Sequence, residues 1–293
     1  MPISEKNQIM PSTLYLVATP IGNLADLSER AIKVLSEVDF IAAEDTRNTG
    51  HLLAYLNIQK PLVSYHEHNK RERGEQICDR LQAGESCALV TDAGTPAISD
   101  PGEDLVALCA SKGITVTSIP GCCAGITALT LSGLPTGRFT FEGFLPVNKS
   151  DRKKHLDSLK NEPRTMIFHE APHKLKTTLS DLRETFGDDR RISLCRELTK
   201  LNEEVLRLTL AEAVAYYEEN APRGEYVLVV EGAGEGSTAA EVFWADMTIP
   251  DHVAHYMEQG MTKKDAIKAA ARDRGVPKNE VYQQVLDSFS AQA

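Results

Sequence analysis

Five short segments of this 293-residue chain combine residue types suited to chemistry, and each follows a predicted strand. In a parallel α/β sheet, ligands bind beyond the carboxyl ends of the strands. We therefore expect the five segments to meet at one edge of a sheet and to form one site. They are Thr19–Leu24 (TPIGNL), Glu44–Arg47 (EDTR), His66–Asn69 (HEHN), Asp92–Gly102 (DAGTPAISDPG) and Pro120–Gly125 (PGCCAG).

The fourth segment has the most distinctive composition, because residues 92–102 include two prolines, two glycines and two aspartates. Proline fixes φ, and glycine permits backbone conformations closed to other residues, so this loop is suited to gripping a ligand with main-chain groups. The alternative is a tight turn before a helix. The fifth segment opens a predicted helix with the small residues Cys123–Gly125. These either let a ligand approach the backbone or allow close helix–sheet packing.

Two phosphate-binding motifs are missing from the sequence. The first segment lacks G-x-G-x-x-G at the place where a dinucleotide-binding fold carries it, and no G-x-x-x-x-G-K-[ST] occurs. A dinucleotide enzyme and a P-loop nucleotidase are therefore disfavoured. A cofactor without phosphates needs neither motif.

The segment His169–His173 (HEAPH) matches the H-E-x-x-H pattern of zinc proteases. That chemistry requires both histidines one turn apart on a continuous helix. Pro172 is not tolerated inside a helix and disfavours helical geometry at Ala171. We therefore expect a strand end that turns into a helix with Pro172 in its first turn, and no metal site.

Basic residues are clustered locally. Any one cluster is more often a solvated face than a binding site, but several around one cleft would suit a polyanion. The clusters are Lys149, Arg152, Lys153, Lys154 and Lys160; Arg190, Arg191, Arg196 and Lys200; Lys70, Arg71 and Arg73; and Lys263, Lys264, Lys268, Arg272 and Arg274.

Short apolar strands alternate with helices over the first 145 residues. This alternation favours a parallel sheet with helices on both faces. A helix is expected from Leu24 to Leu35, because its apolar residues recur on one face. The predicted strands are Leu14–Ala18, Asp39–Ala43, Leu62–Tyr65, Ala88–Thr91 and Val116–Ile119.

The chain becomes polar and basic between Pro146 and Pro163, and then the alternation resumes. Gly232–Ser237 has the composition of a flexible linker, and the residues after it are expected to be wholly helical. The organisation expected is therefore 1–145, 146–235 and 238–293. The further predicted strands are Thr165–Phe168, Ile192–Cys195, Glu204–Leu210 and Glu225–Glu231, and the predicted helices are Lys174–Phe186, Lys263–Arg272 and Asn279–Phe289.

Composition narrows the class of protein. The charge of −10, from 32 basic and 42 acidic residues, disfavours non-specific nucleic-acid binding, which depends on many phosphate contacts. No apolar run approaches the roughly 18 residues of a membrane span. The opening residues Met1–Gln8 lack the pattern of a secretory signal. None of the six cysteines forms a C-x-x-C pair, so we expect reduced core residues in a cytoplasmic protein.

The unusual loops together resemble the tetrapyrrole-methylase superfamily, the class III methyltransferases that use S-adenosylmethionine. Two further segments narrow the resemblance to the branch that methylates the ribose 2′-oxygen of a decoding-site cytidine in bacterial 16S ribosomal RNA. The resemblance covers nearly the whole chain, and the set of motifs is highly specific. The motifs shared with the superfamily are Leu14–Leu24, Glu44–Arg47, Val90–Gly102, Ile119–Gly121 and Glu142–Pro146. The segments that indicate the RNA-methylating branch are Glu44–Arg47, His169–Leu175 (HEAPHKL) and Cys195–Lys200 (CRELTK).

The resemblance implies a fold, a cofactor and partners. The fold is α/β and two-lobed: residues 1–145 form a parallel five-stranded lobe with the cofactor and substrate loops, and 146–235 form a lobe with a mixed sheet that closes the cleft. Residues 238–293 then form a small helix-turn-helix-like domain. The implied cofactor is S-adenosylmethionine, with S-adenosylhomocysteine as product and no metal. The implied partners are 16S ribosomal RNA in the small subunit and a second copy of the chain, without a membrane.

The resemblance also implies cofactor contacts at particular residues. Thr95 stands where relatives commonly have an acidic residue, which puts a carboxylate contact to the cofactor in doubt. Gly224–Val227 would supply a last backbone contact. The implied cofactor-binding residues are Pro20, Ile21, Asp92, Gly94, Thr95, Pro96, Ile98, Cys123, Ala124, Phe168 and Val227, with Glu170 beside Phe168 at the same strand edge.

The expected reaction is an in-line transfer in which alignment supplies most of the rate. A base or a nearby cation would help, because a ribose hydroxyl is very weakly acidic. Glu170 and His66 are the candidate bases, and Arg47, Arg196 or Lys200 would contact phosphate or the developing alkoxide. Structural alternatives stay open: Glu170 could cap a helix, Arg47 could pair with Glu44 or Asp45, and His66 could bond the backbone.

Two other functions compete with this interpretation. One is a methyltransferase of the same superfamily acting on a tetrapyrrole, which the helical C-terminal part and the basic clusters disfavour. The other is a non-catalytic RNA-binding protein, whose affinity for RNA would not depend on S-adenosylmethionine. The net acidity favours a specific site on an assembled subunit over free RNA.

Overall fold

The computed structural model describes residues 8–234, 244 and 247–290. The chain divides into two compact units, Met1–Gly232 and Ala233–Ala293. Residues 235–237 of the expected linker, most of Met1–Gln8, and parts of the expected 238–293 domain lie outside the described residues. Among those described, no helix has both the length and the apolar character needed to cross a membrane.

The first unit begins with a five-stranded sheet in which every neighbouring pair of strands is parallel. The strand order is β3-β2-β4-β1-β5. The two central strands β2 and β4 are buried at every position, as expected for a sheet covered on both faces. The strands are β1 (Thr13–Val17), β2 (Phe40–Ala43), β3 (Leu62–Ser64), β4 (Cys87–Val90) and β5 (Thr115–Ile119), and the helices are α1 (Glu29–Glu37), α2 (Thr46–Tyr55), α3 (Lys70–Gln82), α4 (Gly102–Ser111) and α5 (Ala124–Leu131).

A second, mixed five-stranded sheet completes the unit, with strand order β6-β7-β10-β8-β9. Strand β6 runs parallel to β7, and the other pairs are antiparallel. The predicted α/β class with one parallel and one mixed sheet is confirmed. The strands are β6 (Phe139–Phe144), β7 (Thr165–Glu170), β8 (Arg191–Arg196), β9 (Glu204–Thr209) and β10 (Tyr226–Val230), and the helices are α6 (Lys149–Ser158), α7 (Pro172–Phe186) and α8 (Leu210–Glu219).

The two faces of the second sheet bury different partners, and this determines which side chains reach the cleft. Met166 and Phe168 of β7 pack into one apolar cluster with α7 and α8. Ile167 of the same strand packs into another cluster with Ala128 and Leu129 of α5. Because successive side chains in a strand point to opposite faces, odd-numbered positions of β7 face the first sheet's helix α5.

The prediction of a helix from Leu24 to Leu35 is wrong in its first half. Leu24–Asp26 form one turn of 3₁₀ helix, and α1 begins only after Ser28, whose hydroxyl accepts a hydrogen bond from the Ala31 amide. A serine N-cap satisfies amides that a new helix leaves unpaired, so it begins a helix rather than continuing one. Leu24 is consequently 47% exposed instead of buried.

The segment with the zinc-protease pattern adopts the expected conformation. Strand β7 ends at Glu170, and α7 begins at Pro172, so the two histidines lie on different elements. Within the described ranges, no group of three or more His, Cys, Asp or Glu side chains is arranged to hold a metal ion.

The second unit contains three helices in its described part. Thr248 and Thr262 cap the first two through their hydroxyl groups, and Gly275 ends the second with a left-handed φ of 64°. The two predicted helices are confirmed within two residues at each end. A further helix precedes them, in a part of the chain that was expected to be helical without a specific range. The helices are α9 (Ile249–Glu258), α10 (Lys263–Arg274) and α11 (Lys278–Ser290).

Candidate functional site

A short bridge joins the loops after β1 and β4 at the carboxyl edge of the first sheet. The Thr19 amide donates to the Gly94 carbonyl at 2.9 Å, and the Gly94 amide donates back to the Thr19 carbonyl at 3.0 Å. Gly94 has φ of +86°, which favours glycine at this position. The first and fourth predicted segments are therefore held together by main-chain hydrogen bonds.

The loop after β5 is tied to the same assembly. The Thr95 hydroxyl donates to the Cys122 carbonyl at 2.8 Å. A Cβ at Gly121 would lie 2.7 Å from the Ala18 Cβ, so only glycine permits this approach to the loop after β1. Thr95 thus has a structural partner within the loops.

Residues 97–101 form a strained turn braced by Asp100. Ala97 and Ser99 have φ of 67° and 62°, which is unusual for residues with side chains. The Asp100 carboxylate accepts hydrogen bonds from the amides of Ile98 at 3.0 Å and Gly102 at 2.7 Å. Strain held in place by such bonds is typical of ligand-binding loops.

A cavity of about 600 Å³ lies between this turn, the start of α5 and the second sheet. We call it the α5 cavity. Its walls combine the small residues Cys123 and Gly125 with apolar side chains of the turn after β4, of α5 and of the second sheet. The remaining lining residues are Ala97, Ile98, Ser99, Glu103, Ile126, Phe139, Phe141 and Ile167.

A smaller cavity of about 280 Å³ lies on the other side of the Thr19–Gly94 bridge, against one face of α2. We call it the α2 cavity. Its lining residues are Thr19, Pro20, Leu24, Asn48, Thr49, His51, Leu52, Tyr55, Thr91 and Asp92.

The residues predicted to bind the cofactor are divided between the two cavities, the Thr19–Gly94 bridge and the apolar cluster around α5. Ile98 and Cys123 line the α5 cavity, whereas Pro20 and Asp92 line the α2 cavity. Gly94 lies in the bridge between them, and Thr95 and Pro96 follow it. Ile21 and Ala124 pack together in the apolar cluster around α5.

The second-sheet residues are placed differently from the expectation. Phe168 and Glu170 point to the α7 face of β7, away from α5, so their side chains do not line either cavity. Ile167, at the neighbouring position, lines the α5 cavity. Val227 pairs with His169 in the sheet and packs into the cluster around α5.

Glu170 is 4% exposed and is held in a buried network. Its carboxylate accepts hydrogen bonds from the Ala171 amide at 2.8 Å and from the Thr178 hydroxyl. Arg152 donates in turn to Thr178 at 2.8 Å. The carboxylate therefore joins β7 to α6 and α7, and its geometry supports a structural role rather than that of a base.

Two cationic candidates are engaged in ion pairs. Lys200 bonds Glu197 at 3.0 Å and Glu225 at 2.8 Å, and Arg196 lies 3.1 Å from Glu204. The Lys200 side chain also lies against the loop after β1: a Cβ at Gly22 would be 2.3 Å from its Cγ. The segment 195–200 thus closes the second sheet onto the first segment.

Arg47 lies at the start of α2 and is 86% exposed. Its guanidinium contacts Asp45 twice, through Nε at 3.2 Å and Nη2 at 2.8 Å, as one of the structural alternatives anticipated. This partner holds the pKa of Asp45 at about 2. The ion pair orients Arg47 beside the α2 cavity and leaves its Nη1 edge without a contact among the described residues.

His66 is bonded locally, but its ring contacts a side chain rather than the backbone that the structural alternative named. The His66 amide donates to the Asn69 side chain at 2.8 Å, and a ring nitrogen lies 3.3 Å from the same residue. The other ring nitrogen, Nδ1, is buried without a hydrogen-bond partner among the described residues.

Sequence reasoning missed Glu44, which ends the buried strand β2 at the same edge of the sheet. Its side chain is exposed and lies near Asp92, Asp100 and His66. Displacement of water from its carboxyl group, followed by repulsion from Asp92 and Asp100, raises its pKa. A raised carboxyl pKa suits proton acceptance near neutral pH. The position of Glu44 directly after strand β2 was the feature of the sequence that could have marked it as a candidate base.

Comparison with known proteins identifies the family. A family model described as tetrapyrrole (corrin/porphyrin) methylases matches residues 13–214. The chain is 52% identical over 270 residues to the ribosomal RNA small subunit methyltransferase I of Halalkalibacterium halodurans, which covers 92% of this chain and 93% of that one. It belongs to this methyltransferase family. The protein of the same name from Bacillus subtilis is 50% identical, with 92% of each chain covered.

Solved structures support the fold. The chain matches a cobalt precorrin-4 methyltransferase with a TM-score of 0.55 and 15% identity, covering 75% of this chain and 95% of that one. It matches a Thermus thermophilus uroporphyrin-III C-methyltransferase, complexed with S-adenosylhomocysteine, with a TM-score of 0.52 and 21% identity, covering 76% and 97%. The resemblance inferred from the motifs is therefore confirmed at the level of family and fold.

The cysteines of this family member are all free. Four are buried, as expected for core residues: Cys78, Cys87, Cys109 and Cys195. Cys122 and Cys123 are only half-buried, because they lie in the loop after β5 that borders the α5 cavity.

His169 is a polar group on the α5 side of the second sheet. Its ring makes edge contacts with Phe141 and Phe144, and its Nε2 is buried without a hydrogen-bond partner among the described residues. Burial lowers the pKa of His169 from 6.5, and Glu225 opposes this only in part. The imidazole is therefore neutral at physiological pH, and it is enclosed between β7 and the two phenylalanine rings rather than lining the α5 cavity.

The lowered pKa of His169 predicts a pH-dependent stability. The unfolded chain binds the histidine proton more readily than the folded chain, so the free energy of unfolding falls as pH drops through 6.5. We expect denaturant titrations between pH 7 and about pH 5 to show a shallower decline for His169→Phe than for the unmodified protein. The control is His51→Phe, at an exposed position. Parallel curves for His169→Phe and the unmodified protein would contradict the prediction.

Proposed function

We propose that this protein transfers a methyl group from S-adenosylmethionine to the ribose 2′-oxygen of a decoding-site cytidine in 16S ribosomal RNA. The observation that carries the proposal is the α5 cavity, which opens between the strained turn after β4 and the second sheet. The names of the curated relatives support an RNA substrate. The motif set of the sequence supports the specific atom and nucleotide.

The residues of the α5 cavity fit the proposed cofactor. The adenine ring of adenosine is planar and can pack its faces on aliphatic side chains, and Ile98, Ile126 and Ile167 supply an apolar wall. Small side chains at Cys123 and Gly125 leave backbone groups within reach of polar ligand atoms. When bound, S-adenosylmethionine supplies a methyl group on a sulfonium sulfur, whose transfer leaves S-adenosylhomocysteine.

The acceptor nucleotide is assigned to the α2 cavity, which adjoins the same bridge. Arg47, oriented by Asp45, contacts a phosphate of the RNA from the rim. Glu44 accepts the proton of the 2′-hydroxyl, with His66 as an electrostatic neighbour. Lys200 holds the loop after β1 in place. The proposal therefore replaces Glu170 by Glu44 as the base.

An assembled small subunit in the cytoplasm is the proposed substrate. The net charge of −10 disfavours general attraction to RNA, so binding has to rest on local groups that fit one folded site. The nucleotide must be turned out of its surroundings to reach the cleft, because enzymes that act on a nucleotide within folded nucleic acid extrude it.

A homodimer is part of the proposal. Large apolar side chains are exposed around the mouth of the α5 cavity, and a patch of this kind marks an interaction surface. A second copy of the chain would cover it and limit access of water to the cavity. The exposed residues are Ile98, Ile126, Phe139, Phe141 and Phe144.

The function is tested with purified small subunits from cells that lack the protein. We expect incubation with the protein and S-adenosylmethionine to produce one 2′-O-methylcytidine per subunit, detected by mass spectrometry of the digested 16S RNA. Free 16S RNA and a porphyrinoid acceptor serve as controls for the substrate. Methyl transfer to the porphyrinoid alone, or to no RNA, would contradict the proposal.

A further inference from the structure

The α2 cavity has the features of a pocket for a single nucleobase. Its volume of about 280 Å³ lies just below the roughly 300–1,000 Å³ of pockets that hold whole small molecules. Its walls combine three apolar side chains and Tyr55 with three threonines, and its amide, imidazole and carboxylate groups belong to Asn48, His51 and Asp92. This size and lining suit a planar ring with a few hydrogen-bonding edges.

One face of α2 supplies half of this pocket. Asn48, His51, Leu52 and Tyr55 are spaced three or four residues apart and share that face of the helix. The opposite face carries Leu53, which packs into the core. The face of α2 that lines the cavity therefore does not pack into the core.

Tyr55 and Leu24 are large side chains exposed at the rim of this pocket. Tyr55 is 64% exposed, and Leu24 is 47% exposed because the 3₁₀ turn lifts it out of the core. Aromatic side chains in such positions stack on bases of single-stranded or extruded nucleotides. The pair would hold a base between an aromatic ring and an aliphatic side chain.

Asn48 gives the pocket a chemical preference. Its amide nitrogen donates to the Asp92 carboxylate at 3.3 Å, and a carboxylate can only accept. The Asn48 carbonyl oxygen is thereby turned outward as an acceptor. Cytosine presents an amino group as donor, whereas uracil presents a carbonyl at the equivalent position, so this arrangement favours cytosine.

We infer that the α2 cavity binds the base of the target nucleotide, with Tyr55 stacking on it and Asn48 selecting cytosine over uracil. The inference rests on the proposed function and adds two specificity-determining residues to it. Thr19 lines this cavity and also forms the bridge with Gly94, so the base lies directly beside the loops after β1 and β4.

The test uses small subunits that carry either cytidine or uridine at the target position. For the unmodified protein we expect kcat/KM to be roughly tenfold or more higher with cytidine. Asn48→Ala should bring the ratio near one. Tyr55→Leu should lower kcat/KM for cytidine roughly tenfold or more, and Tyr55→Phe, which keeps the ring, should restore it. Binding of S-adenosylmethionine, measured by calorimetry, should be unchanged in all variants.

Asn161→Ala, in the exposed turn after α6, is the matched control and should behave like the unmodified protein. If the unmodified protein is active and Asn48→Ala and Tyr55→Leu match it in rate and ratio, the base pocket is refuted and the proposed function stands. Weakened cofactor binding in those variants also refutes the base pocket. If the unmodified protein methylates no subunit, the proposed function and the base pocket fail together.

Discussion

Ile98→Trp is expected to weaken the binding of S-adenosylmethionine about 100-fold, which corresponds to about 2.7 kcal/mol. Ile98 lines the α5 cavity and is 42% exposed, so a larger side chain enters the cavity without disturbing the core. An indole would occupy a large part of a space of about 600 Å³. The measurement is isothermal calorimetry with the cofactor, accompanied by thermal unfolding to verify the fold.

Val147→Trp is the matched control, because Val147 is 80% exposed and does not line the cavity. It adds the same indole to the surface and should leave cofactor affinity unchanged. Equal affinities for Ile98→Trp and Val147→Trp would mean that the cofactor does not occupy the α5 cavity. The assignment of both cavities would then have to be revised.

The edge of the sheet that carries the candidate site could be predicted from the sequence, since the carboxyl ends of parallel strands lie at one edge. That the segments beginning at Thr19 and Asp92 are neighbours depends also on the strand order, in which β1 lies beside β4. The Thr19–Gly94 bridge places the two segments in direct contact. Glycine and proline in these loops correctly marked a backbone held in uncommon conformations.

The face that each strand residue presents was harder to predict. Strand β7 is buried on both sides, and its apolar residues Met166–Phe168 are consecutive, so alternation gives no direction. The choice between Phe168 and Ile167 as the residue facing the cleft depends on α5 and α7, which pack from opposite sides. Glu170 consequently seemed suited to chemistry, although its carboxylate is used by Thr178.

Elements that lack a strong pattern were missed for related reasons. Strand β6 is an edge strand with a shift of register between Phe141 and Gly143, so its apolar residues do not alternate regularly. Helix α6 is rich in charged residues and buries only Arg152 and Leu156. Tertiary contacts, rather than local periodicity, define both elements.

Glu44→Gln is expected to lower kcat for methyl transfer by roughly 10²–10⁴-fold, the usual contribution of a positioned base. The amide keeps the shape of the side chain, but it does not take up a proton. For the unmodified protein, kcat should fall at low pH with an apparent pKa above the 4.5 of an ordinary glutamate, because desolvation and the carboxylates of Asp92 and Asp100 raise the pKa of Glu44. Calorimetry should show unchanged cofactor binding.

Glu67→Gln is the appropriate control, since Glu67 lies in the loop after β3 at the same edge and pairs with Lys70 at 2.8 Å. It removes one carboxylate from the same surface and should change kcat by less than about threefold, because exposed ion pairs contribute little. Glu44→Asp, which shortens the side chain but keeps the acid, should retain more activity than Glu44→Gln. If Glu44→Gln and Glu67→Gln have similar rates, the proton is accepted elsewhere, and the pH profile of Glu44→Gln would then still contain the original pKa.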